Sequence, residues 1–110
     1  MLADETKQRL LGRFRDETTH QIALLWANLP RLEQAPDNSE TLYSMYVSCH
    51  NIKGNLGMML LLDNNMPDLT EVARRLELIM QNLSKGTTRL EPEIYRLLNQ
   101  NLQQIELGLG

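Results

Sequence analysis

Within residues 48–59, SCHNIKGNLGMM, His50, Lys53, Gly54 and Gly57 stand at i, i+3, i+4 and i+7. On a helix that spacing puts all four on one face. An imidazole then stands beside a bare length of backbone, with a cation at its edge. A neutral imidazole is a competent nucleophile at pH 7. Each glycine costs a helix interior about 1 kcal/mol relative to alanine. Two readings account for that cost. The glycines let another helix of the same molecule pack closely, or they clear the ground for something bulky to approach His50, such as another protein's active site.

Other chemistries find little support. Two histidines thirty residues apart and a single cysteine give no zinc-ligand spacing. Gly108 and Gly110 lie at the chain end and do not make a phosphate loop, and no nucleotide-binding glycine loop is present. No metal and no cofactor are therefore expected, and the chain is not expected to be a complete kinase. His20 reads as a surface residue, Cys49 as a small buried hydrophobe, and Trp26 and Tyr46 as packing residues with polar tips.

The elements that must position His50 are helical. A first segment, from about residue 5 to 33, carries Leu11, Phe14, Thr18, Ile22, Leu25, Leu29 and Leu32 at spacings of three and four. Pro30 is expected to kink this helix or end it early. Asp37 and Glu40 read as a capping box for a second helix over about 38–61, with Leu42, Met45, Cys49, Ile52, Leu56 and Met59 as its stripe. His50 follows Cys49 and so borders that stripe. Residues 63–67, DNNMP, form a loop. Asp68 and Glu71 read as a second capping box, followed by a seam of Leu69, Val72, Leu76, Ile79 and Leu83. Gly86 reads as a left-handed C-cap. Pro92 suits the first position of a fourth helix marked by Ile94, Leu98, Asn101, Leu102, Ile105 and Leu109. Short connections imply an all-α fold, an antiparallel four-helix bundle in up-down-up-down order, with residues 1–110 as one domain.

His50-Asn51-Ile52-Lys53-Gly54 resembles the His-x-x-Lys-Gly signature of histidine phosphotransfer (HPt) domains, in the version found at the N-terminus of chemotaxis-type histidine kinases. The resemblance covers most of the chain. Phe14-Arg15-Asp16-Glu17 is similar to the family's opening Phe-x-x-Glu, and Gly57-Met58 to the small residue and Met after the signature. Leu76-Glu77 is similar to the Leu/Met-Glu of the third helix, and residues 90–93, LEPE, to the start of the fourth. Asn55 stands where the family has Ser, Ala or Gly, and Cys49 where Ala is commoner. The connection around residues 63–67 is about five residues longer than usual.

The resemblance implies a phosphoryl group carried on Nε2 of His50 and exchanged with an aspartate of a response regulator's receiver domain. Lys53 would offset charge on the phosphoryl oxygens. Glu77 would hold the proton on Nδ1, and Asn51, Gly54 and Gly57 would meet the docking partner. Phosphate would come from an ATP-binding kinase module, in trans or in the same longer chain, and the magnesium for transfer would belong to the receiver. The bland readings remain beside these: a border histidine, a solvated lysine, a solvated glutamate, or an HPt-like module that docks signalling partners without phosphotransfer.

The bulk numbers agree with a small globular protein. In 110 residues, 42% are hydrophobic and 23% charged, and the net charge is −3. An acidic balance argues against a nucleic-acid surface. No apolar run approaches the roughly 18 to 20 residues that cross a bilayer. One cysteine excludes an internal disulfide. A cytoplasmic monomer is expected.

Overall fold

The computed structural model describes residues 2–110. Four α-helices follow one another: α1 Asp4–Gln34, α2 Ser39–Leu62, α3 Thr70–Lys85 and α4 Pro92–Leu109. Among the described residues there is no strand. Each helix packs on the next, and α1 also meets α4, closing an antiparallel up-down-up-down bundle. The body measures 47 × 21 × 21 Å. At 1.5 Å per residue, the 31 residues of α1 account for the long axis.

One cluster forms the core. Ile22, Leu25, Leu29 and Leu32 of α1 meet Met45, Cys49, Ile52, Leu56 and Met59 of α2, with Leu76 and Met80 of α3 and Leu98, Leu102 and Ile105 of α4 behind them. Two polar ties hold the outer pair of helices. The Trp26 indole donates to Glu106 Oε1 at 2.9 Å, and the Arg15 guanidinium donates to the Leu109 carbonyl.

Several local expectations need correction. Pro30 does not end α1 early: the helix continues through it to Gln34. Proline in a helix interior costs about 3 kcal/mol, but Leu29 and Leu32 on either side of it are fully buried, and burying a leucine is worth about 2 kcal/mol each. The cap of α2 is Asn38 rather than Asp37: its side chain accepts from the Thr41 backbone N–H at 3.0 Å. Asp68 does cap locally, accepting from the Thr70 backbone N–H at 3.0 Å. Glu71 does not close a box onto it but takes Arg74 instead, at 2.6 and 3.0 Å. On α3 Leu69, Val72, Leu76 and Leu83 are buried as expected, Ala73 and Met80 join them, and Ile79 is only partly buried. Gly86 is the left-handed cap expected, at φ 74°.

Helix α2 carries His50, Lys53, Gly54 and Gly57. Its inner stripe is the one the spacing predicts. Its solvent side also exposes Tyr43 and Leu61, at 66% and 81%.

Candidate functional site

His50 stands on the solvent side of α2 with its side chain 61% exposed. Its Nδ1 lies 3.4 Å from Oε1 of Glu77, on the facing side of α3. Lys53, one turn further along α2, places Nζ 2.7 Å from the other carboxylate oxygen, Oε2. At that distance the two form a close ion pair. Glu77 is the pivot, with a side chain only 15% exposed. Burial opposes its ionisation, but the Lys53 and His50 contacts outweigh burial and hold the carboxyl below the usual glutamate range. An ionised Glu77 only accepts hydrogen bonds. The His50 contact is therefore satisfied when Nδ1 carries the ring proton, and this leaves the Nε2 lone pair free.

The two glycines have no partner inside the molecule. A Cβ built on Gly54 or on Gly57 would meet nothing within 4 Å. Neither has a positive φ. Close helix packing is thus removed as the reason for either glycine. Asn51 is half-buried on α2 beside His50 and takes no part in the contacts around Glu77. Cys49, next to His50 in sequence, faces the core: burial, with the Glu77 charge adding to it, pushes its thiol up to about 12. It is neutral at pH 7 and no competing nucleophile. His20 is exposed on α1.

The chain is distantly similar to a chemotaxis protein. It is 24% identical over 105 residues to Chemotaxis protein CheA of Borreliella burgdorferi, a match that covers 96% of this chain and 12% of that protein. The chain thus spans only a small part of its relative's length. No family model matches the sequence, and no solved structure matches it.

Two surface clefts flank α2. On the α3 side, a shallow one is lined by Lys53, Arg74, Glu77, Leu78 and Gln81. A larger one, about 560 Å³, lies on the α1 side between Leu10, Arg13, Phe14, Asp16, Glu17 and Asn55. The larger cleft contains none of the His50 cluster. His50 itself lines neither of these two clefts and is exposed to solvent. Asn55 places its Nδ2 out of solvent without a hydrogen-bond partner; nothing in the structure explains it.

One neighbour of His50 is not evident from the sequence. Tyr46 stacks on the imidazole, with ring centroids 6.4 Å apart and planes at 27°. The i, i+4 spacing is the available signal, but an aromatic at a stripe's border reads first as packing. Among the described residues no group of three or more His, Cys, Asp or Glu is placed to hold a metal ion, and no helix is long and apolar enough to cross a membrane.

Proposed function

We propose that residues 1–110 act as a histidine phosphotransfer unit that carries a phosphoryl group on Nε2 of His50 in two-component signalling of the chemotaxis type. The carrying observation is the exposed His50, with Nδ1 against an ionised Glu77 and no side chain over the adjacent Gly54 and Gly57. The distant similarity to a chemotaxis protein supports the same reading.

In the loading step, the Nε2 lone pair attacks the terminal phosphorus of ATP held by a kinase module. The phosphorus–oxygen bond to ADP breaks, and ADP leaves with its electrons. The Nδ1 proton stays against Glu77, which compensates the positive charge building on the ring. In the unloading step, a receiver aspartate attacks the phosphorus, and the nitrogen–phosphorus electrons return to Nε2. Such transfers ask the protein mainly for positioning and charge compensation. Lys53 supplies a positive charge within one turn of Nε2. The receiver of a response regulator and the kinase module, in trans or in the same longer chain, are the partners of this reading.

The test is incubation of the protein with radiolabelled ATP and a chemotaxis-type kinase module. Acid-labile, base-stable label is expected, as for a phosphoramidate on nitrogen. Base-labile label, or none while a receiver still binds, would replace phosphotransfer with another acceptor or with docking alone.

Glu77→Ala is expected to slow loading about tenfold to a hundredfold, the range for losing a residue that orients a reacting ring. It should not abolish loading, because attack needs only the imidazole. An unchanged rate would make Glu77 a bystander. Its lowered pKa also fixes the sign of a pH effect. A carboxylate whose folded value is depressed adds stability above the ordinary value and loses it as pH falls through the folded one. Glu77→Gln should therefore melt below wild type at pH 7, and the difference should shrink only as pH falls below the ordinary glutamate value and through the lower folded one.

A further inference from the structure

Tyr46 lies one turn before His50 on α2. Its ring is half-buried and packed against the core cluster, whereas the imidazole is largely exposed. The centroid separation of 6.4 Å falls in the range over which aromatic pairs attract. One ring of this pair is therefore anchored and the other is not. The imidazole has three distinct surroundings: Tyr46 toward the helix N-terminus, Glu77 at Nδ1, and open space toward Gly54. A single contact as long as 3.4 Å fixes where Nδ1 points but leaves the ring free to swing about it. A flat neighbour at the edge of aromatic range narrows that freedom.

We infer that Tyr46 is a positioning residue, whose ring face holds the plane of the His50 imidazole so that Nε2 looks out over the ground cleared by Gly54. The inference rests on reading His50 as the phosphoryl acceptor. In-line transfer needs the Nε2 lone pair aimed at phosphorus, and small misalignments of a reacting group cost up to about a hundredfold. The aromatic face does this, and the phenol hydroxyl is not needed.

The experiment compares Tyr46→Phe with Tyr46→Leu, each checked for wild-type helicity and a cooperative melt. Tyr46→Met serves where leucine does not pack. Two readouts are taken. The first is the nuclear magnetic resonance of the His50 ring without phosphate: ring-current shifts of its C–H signals, and nitrogen shifts that report the tautomer. Tyr46→Phe should match wild type. Tyr46→Leu should lose the ring-current displacement and part of the Nδ1–H tautomer. The second is loading, by the kinase module and by a small phosphodonor such as phosphoramidate. Tyr46→Leu should lower the maximal rate roughly tenfold with both donors, and Tyr46→Phe should load normally.

Wild-type ring signals in Tyr46→Leu would overturn the inference. So would a loss confined to KM for the kinase module, which marks a docking contact, or equal impairment of Tyr46→Phe, which marks the hydroxyl. Absence of loading in wild type would sink the phosphotransfer reading, while the ring signals would still decide whether Tyr46 orients His50.

Discussion

His50→Gln is expected to fold as wild type does and to take up no phosphate under conditions that label wild type. The side chain is 61% exposed, and its contacts are the stack on Tyr46 and the long approach to Glu77. Little packing is lost, and surface changes of this kind usually fall within about 0.5 kcal/mol. Glutamine is also a better helix former than histidine. The Lys53 contact with Glu77 survives the change, so Glu77 is not left as an unpaired charge. An amide nitrogen carries no available lone pair, so the loss of labelling should be complete. Helicity and melting are measured beside label retained through base and lost in acid. Label persisting at the wild-type level would move the acceptor elsewhere, with His20 on α1 as the other imidazole to test.

The parts of this site that lie on one helix are readable from sequence. His50, Lys53, Gly54 and Gly57 follow from the helical period, and the inner stripe of α2 fixes which way they face. Glu77 is different. It sits on α3, and only the register of α3 against α2 brings it to Nδ1; the family resemblance suggests it, while periodicity alone does not. The cap of α2 falls one residue beyond the expected Asp37 because Asp37, Asn38 and Ser39 are all good caps, and only the side-chain direction chooses among them. The buried face of α3 keeps Leu69, Val72, Leu76 and Leu83 of the expected seam and is wider than it, because a helix packed between two neighbours buries a broader stripe that takes in Ala73 and Met80. At Pro30, local propensity favours a break, and the burial of Leu29 and Leu32 overrides it.

Gly54 carries the second large effect, and it separates stability from transfer. Its backbone is ordinary right-handed helix, and a Cβ there would touch nothing within 4 Å. Nothing within the molecule requires glycine. Gly54→Ala should stabilise the fold by about 0.5 to 1 kcal/mol, the helix-propensity difference. Gly54→Leu and Gly54→Glu should also melt at or above the wild-type temperature, since both residues are better helix formers than glycine. Yet either side chain would rise one turn beyond His50, over the ground that, on the proposed reading, a receiver occupies to bring its aspartate in line with Nε2. Exchange with the receiver should fall on the order of a hundredfold, because displacing a docked partner by even about 1 Å misaligns the attack. A small phosphodonor does not need that ground and should load both variants at close to the wild-type rate. Glutamate should be worse than leucine toward the receiver, because it adds a negative charge beside an incoming carboxylate and phosphoryl group. Unfolding of the bulky variants would return Gly54 to a packing role. Wild-type exchange with the receiver would mean that the approach to His50 runs over another face, and the cost of a glycine in the middle of α2 would be left without a cause.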